Sequence, residues 1–150
     1  MDLTRLRSFL RRHRRIAVDT SIFIYQLEAH PRYVDLTDPV FAWLEHPQHA
    51  AVTSTITMAE LLVQPYRNSD ERQVDEFYGL LTTYPHLDWI APNLTIADKA
   101  ARIRAAHRLR TPDALQAATA LQSEATGLIT NDSVFERVKE FETLVLEHLL

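Results

Sequence analysis

Residues 16–28, Ile16-Ala17-Val18-Asp19-Thr20-Ser21-Ile22-Phe23-Ile24-Tyr25-Gln26-Leu27-Glu28, hold the transition that decides the fold. The first three are apolar with no alternating polar partner, which predicts a strand covered on both faces. The run stops at Asp19, a residue type that caps helices, and Ile22, Phe23, Tyr25 and Gln26 then continue a helical pattern to Glu28. An acid therefore stands where a buried strand ends and a helix begins.

The same alternation extends outward. Further short strands are predicted at residues 50–53, 87–91, 128–130 and 143–146. Helices are predicted at 2–15, from the Asp38-Pro39 cap-and-proline pair to about 46, and at 57–64, 70–82 and 95–108. A second such pair, Thr111-Pro112, opens a helix to 125, and a last one spans 133–140. Gly127 is expected to close the turn before the fourth strand. Aliphatic strands alternating with helices predict an α/β fold, a short parallel sheet of about five strands with helices on both faces. No repeat or linker divides the chain, so residues 1–15 read as a basic helical extension on a single domain, 16–150.

Composition narrows the chemistry. The hydrophobic fraction of 46% and charged fraction of 24% suit an ordinary globular domain of 150 residues. With no cysteine, disulfides, thiolate metal sites and a catalytic thiol are excluded. Two glycines, Gly79 and Gly127, are too few and too distant for a dinucleotide or phosphate loop. No apolar run approaches the ~18 residues of a membrane span, so a soluble, cytoplasmic protein is expected. The net charge of −4 conceals a polarised chain. Arg5, Arg7, Arg11, Arg12, Arg14 and Arg15 against Asp2 give the first fifteen residues +5, leaving −9 for the remainder. Such a balance argues against nucleic-acid binding unless something neutralises the local carboxylates.

In a parallel sheet, ligands bind beyond the carboxyl ends of the strands. Four acids fall at or near such places: Asp19 after strand one, Glu60 in the helix after strand two, Asp113 in the first turn of the helix before strand four, and Asp132 just after strand four. Each has a plain structural alternative. Asp19 can cap its helix, Thr57-x-x-Glu60 fits a capping box, Asp113 complements a helix dipole, and Asp132 precedes Ser133-x-x-Glu136, another capping box. Together they suggest convergence. Carboxylates about 5 Å apart repel by ~3 kcal/mol at an effective dielectric near 20. An all-oxygen set of this kind suits Mg²⁺ or Mn²⁺, and such an ion would also admit a phosphodiester.

The strings that hold these acids are Ile16-Ala17-Val18-Asp19-Thr20-Ser21, Thr55-Ile56-Thr57-Met58-Ala59-Glu60-Leu61, Arg110-Thr111-Pro112-Asp113-Ala114-Leu115 and Leu128-Ile129-Thr130-Asn131-Asp132. In this order and spacing the chain resembles PIN-domain ribonucleases, and among them VapC-type toxins, from about Ile16 to Leu146. The resemblance implies a PIN-like fold and RNA cleavage with Mg²⁺ or Mn²⁺. It implies a metal site of Asp19, Glu60, Asp113 and Asp132, with Ser21 and Asn131 as supporting polar groups. It also implies a cognate antitoxin that covers the site, and a homodimer. The chain departs from the family in the fifteen residues ahead of strand one. Water attack leaving a 5′-phosphate is the expected chemistry, with Asp113 nominated as base.

Rival readings fail on single residues. A phosphotransfer receiver needs an acid after strand three, where Ile90-Ala91-Pro92 stands, and a D-x-D phosphatase needs one at Ser21. His46-x-x-His49 reads as surface histidines, and the aromatic residues read as core. Arg11, Arg12, Arg14 and Arg15 have two readings, RNA backbone contacts or the solvated side of an amphipathic helix that packs its leucines on the domain. An RNA-processing nuclease without an antitoxin, and a non-catalytic binding module, stay open.

Overall fold

Strands β1 (Arg15–Val18), β2 (Ala50–Ser54), β3 (Leu87–Ile90), β4 (Gly127–Thr130) and β5 (Glu142–Val145) form one sheet in the computed structural model, which describes all residues, Met1–Leu150. Every pairing is parallel, in the order β3-β2-β1-β4-β5. The chain leaves central β1 toward β2 on one side and returns through β4 on the other, so the strand order switches direction between β1 and β4.

Strand residues alternate between two apolar cores, as the pleat requires. Ile16, Val18, Ala51, Ile129 and Leu144 face one core; Ala17, Val52 and Leu128 face the other. The first core is covered by α1 (Leu3–Arg12), α2 (Thr20–Leu27) and α3 (Val34–Leu44). Leu61 of α4 (Ile56–Leu61) and Leu81 of α6 (Glu71–Thr82) complete that side, with the short α5 (Val63–Arg67) between those two helices. The second core is closed by α7 (Leu94–His107) and α8 (Thr111–Gln122). Ala114, Ala117, Ala118 and Ala120 let α8 lie close against the sheet. Helices thus cover both faces, as expected. No helix is long and apolar enough to cross a membrane.

Helix α1 belongs to the core. Leu6, Phe9 and Leu10 are buried, while Arg5, Arg7, Arg11 and Arg14 are exposed with no ion-pair partner. Arg12 pairs with Glu142, and Arg15 bonds Asp88 and the Ser123 carbonyl. The tail is likewise part of the core, through Leu144, Leu146 and Leu149.

Several boundaries differ from those expected, each for a local reason. The helix expected to open at Asp38-Pro39 opens at Val34, leaving Pro39 inside it. The earlier start buries Leu36 and places Asp38 to accept from the Gln26 amide. The helix expected over 57–64 breaks at Leu62, where Pro65 has no N–H to offer the Leu61 carbonyl. The helix expected over 133–140 is a single 3₁₀ segment, Ser133–Arg137, and a second one, Leu146–Leu149, follows β5. Gly127 is the first residue of β4, paired with Ile16, and Glu124 supplies the left-handed turn residue (φ 61°).

Candidate acidic site

Asp19 closes β1, at the centre of the sheet, and its two oxygens are already oriented. Oδ1 accepts from the Thr20 amide at 2.9 Å, and Oδ2 accepts from Thr130 Oγ1 at 2.8 Å. The cap reading holds through the Thr20 bond, and the same side chain lines the cavity described below. Thr130, the last residue of neighbouring β4, also accepts from the Asp132 amide at 3.0 Å, which shapes the turn that carries Asp132. Asp132 Oδ1 in turn accepts from the Val134 amide at 3.0 Å.

Glu60 does not act in a capping box. Thr57 sits inside α4 rather than at its cap, and its hydroxyl is buried against Thr53 and Gln116. Glu60 Oε1 accepts instead from Thr20 Oγ1 at 2.9 Å, which turns the carboxylate toward Asp19. Asp113 comes from the first turn of α8, where Pro112 fixes the helix start. Exposed Arg110 lies 3.7 Å from its Oδ2.

Asp19, Glu60, Asp113 and Asp132 line a single cavity of ≈ 270 Å³ together with Thr20, Ser21, Ile24, Tyr25 and Asn131. It opens at the carboxyl end of the sheet, where β1 and β4 diverge in strand order. As they stand, no three acidic or histidine side chains in the chain close into a ligand set. Four like charges around one small space repel, and a bound cation would offset that repulsion. The donor chemistry nevertheless fits a hard cation, all-oxygen and anionic. Ser21 Oγ is buried here with no hydrogen-bond partner, and such orphans are rare unless a ligand or water completes them. Asn131 is less free: its Nδ2 donates to Tyr25 Oη at 3.0 Å and its Oδ1 accepts from the Glu147 amide at 2.8 Å. It braces the rim.

The electrostatics agree with a strained acidic pocket. Asp19 is pushed up from 3.8 to about 6, chiefly by burial and further by Asp113 and Glu60, against the hydrogen bonds from Thr130 and Thr20. Asp113 is also raised, first by burial, with Asp132 and Glu60 adding and Arg110 opposing. Arg11, Arg12, Arg14 and Arg15 lie elsewhere, at the amino-terminal edge of the sheet or just before it. The sequence does not single out Thr20, Thr130 or Gln116, and offers Thr57 only as a helix cap. The one available signal was Gln116 itself, a lone amide within Ala114-Leu115-Gln116-Ala117-Ala118.

A doubly wound parallel α/β domain with an acidic cavity at its switch point is thereby defined. A family model described as the PIN domain matches residues 16–141, and the chain belongs to that family. No curated protein matches the chain. Among solved structures, VapBC2 from Rickettsia felis, bound to a promoter DNA fragment, aligns at 18% identity and TM-score 0.67, covering 87% of this chain and 98% of that one. VapBC-1 from nontypeable Haemophilus influenzae aligns at 22% and 0.67, covering 89% and 98%. A toxin–antitoxin complex from Klebsiella pneumoniae aligns at 23% and 0.64, covering 87% and 96%. At these identities the likeness is one of fold.

Proposed function

We propose that the chain is a metal-dependent endoribonuclease, with Mg²⁺ or Mn²⁺ as cofactor, and the toxin half of a toxin–antitoxin pair. The observation that carries this reading is the meeting of Asp19, Glu60, Asp113 and Asp132, from four separate segments, around one cavity with the orphaned Ser21 hydroxyl. Those acids would hold the ion, with Ser21 beside them. When bound, the ion lowers the pKa of a water and offsets charge on the phosphate under attack. Thr20 and Thr130 keep Glu60 and Asp19 aimed into the cavity. Asp113, whose Oδ2 faces Arg110, is the proposed proton acceptor through Oδ1.

RNA running past the cavity toward the far edge of the sheet would meet exposed Arg11 and Arg14; Arg12 and Arg15 would first have to leave Glu142 and Asp88. The fold shared with toxin–antitoxin complexes supports a small antitoxin as partner. A cytoplasmic homodimer is part of the same proposal. An apolar groove of ≈ 410 Å³ over Met58, Ala59, Tyr78 and Trp89, next to Glu60 on α4, offers such a partner a foothold.

The test is an RNA digest with Mg²⁺ or Mn²⁺ against EDTA, run beside Asp19→Asn and Asp113→Asn. Metal-dependent cutting, 5′-phosphate ends and losses of at least a hundredfold in both variants are expected. A 2′,3′-cyclic phosphate product, or equal cutting by variants and parent, overturns the mechanism. Growth arrest on induction, relieved by the neighbouring gene product, tests the toxin assignment.

A further inference from the structure

We propose that Gln116 and Thr57 are positioning residues that place Glu60 at the acidic cavity by anchoring α4 to β2 and α8 through a buried hydrogen-bond chain whose direction is fixed. The inference rests on the metal-site reading above and adds residues that touch neither ion nor RNA. Gln116, Thr57, Thr53 and Thr20 are all more than nine-tenths buried. The direction follows from which groups can only donate and which can only accept.

The Ser54 amide can only donate, and it faces Gln116 Oε1 at 3.2 Å. The amide of Gln116 is thereby oriented, so Nε2 points to Thr57 Oγ1 and donates at 2.6 Å. At the far end, the Val18 carbonyl can only accept, and it takes the Thr53 hydroxyl hydrogen at 2.9 Å. Between Thr53 and Thr57, 2.7 Å apart, Thr57 must then be the donor. Thr57 consequently has no hydrogen left for Thr20, and one of its lone pairs is already taken by Gln116. Thr20 Oγ1 lies 3.3 Å from Thr57 and 2.9 Å from Glu60 Oε1. Its single hydrogen goes to the carboxylate, the nearer and stronger acceptor. That bond is the only one Glu60 makes through its side chain within the protein.

Thr57 lies one turn before Glu60 on α4, so its bonds to Thr53 of β2 and Gln116 of α8 fix that turn, and with it Glu60, at the cavity. Removing Gln116 or the Thr57 hydroxyl releases this anchor and leaves Thr20 alone to hold the carboxylate. Gln116 also lies three residues beyond Asp113 on α8, so its bond to Ser54 sets the first turns of that helix against β2. One amide therefore indexes two acids of the cavity. Supporting groups of this kind typically change metal affinity or activity 10–100-fold when lost.

The experiment measures Mn²⁺ affinity by titration of the metal alone, with melting temperature and kcat/KM on RNA in parallel. The variants are Thr57→Val, Thr57→Ser, and Gln116→Met/Thr57→Val, which removes the chain while filling the space. A loss of about tenfold or more in Mn²⁺ affinity is expected for Thr57→Val and for the double variant. Thr57→Ser, which keeps the hydroxyl, should bind within about twofold of the parent. Should Thr57→Val not fold, the double variant decides, since it leaves no unpaired amide facing the removed hydroxyl. A folded variant lacking the chain yet matching the parent in Mn²⁺ affinity and kcat/KM overturns the proposal. So does a Thr57→Ser variant as impaired as Thr57→Val. A parent that neither binds Mn²⁺ nor cuts RNA overturns the metal-site reading itself, a distinguishable result.

Discussion

At Asp19 the proposed site works against stability. It lies half-buried at the end of the central strand, and folding removes it from much of its water while bringing Asp113 and Glu60 near. Its folded value of about 6 stands above the ordinary 3.8, so the ionised form is disfavoured in the folded protein. Below pH 4 the carboxyl is protonated in both states and contributes no penalty. Between about 4 and 6 the unfolded chain loses the proton first, and stability falls as pH rises. Above 6 the full penalty is present, at most about 3 kcal/mol by pKa linkage. Asp19→Asn should therefore stabilise the EDTA-treated protein at pH 7.5, by about 1–3 kcal/mol. The gain should shrink toward zero at pH 4. Urea melts at the two pH values check this, and a variant less stable at both would mean that Thr130 and Thr20 outweigh desolvation.

At the scale of elements, the decisive contact is that between α1 and β4. A Cβ on Gly127 would stand 2.6 Å from Phe9 Cζ and 3.0 Å from His13 Cδ2. The helix outside the family match thus presses directly on a strand within it. His13 bonds Thr126 and Glu142, and Arg12 pairs with the same Glu142, which is held below its ordinary value chiefly by that arginine. Gly127→Ala should cost about 1–3 kcal/mol, the usual penalty of overpacking. Adding Phe9→Leu should recover part of the loss, as coupling between touching residues requires. A double-mutant cycle from denaturant midpoints measures it; strict additivity would place the strain elsewhere. The same contact explains why the role of Gly127 is not legible locally: its need is for space beside Phe9, a residue more than a hundred positions away. Pro39 is a similar case, since a proline at the start of a helix and one tolerated within it look alike locally. The amphipathic stripe Leu3, Leu6 and Leu10 was legible because helix periodicity is local.

Taken whole, the molecule places −9 of charge in the body and +5 in its first fifteen residues, and folds four of the acids into one cavity at the switch in strand order. That much was readable from sequence, because a parallel sheet puts the residues after its strands along one edge. The hydroxyl and amide groups that aim the acids were not readable. Thr57 and Gln116 lie 59 positions apart and meet only after β2 and α8 have packed. If the cavity is built for a cation, folding and binding must be linked, because the ion engages the folded arrangement alone. Mg²⁺ or Mn²⁺ at about a hundred times the dissociation constant should stabilise the protein by ~2.7 kcal/mol. For a chain of this size that corresponds to a rise of roughly 5–10 °C in Tm. Potassium chloride at matched ionic strength should give much less, since screening acts on all exposed charges alike. Asp113→Asn should abolish most of the divalent effect while leaving the response to potassium unchanged. Equal shifts with divalent and monovalent salt, in parent and variant alike, would reduce the cavity to ordinary surface charge.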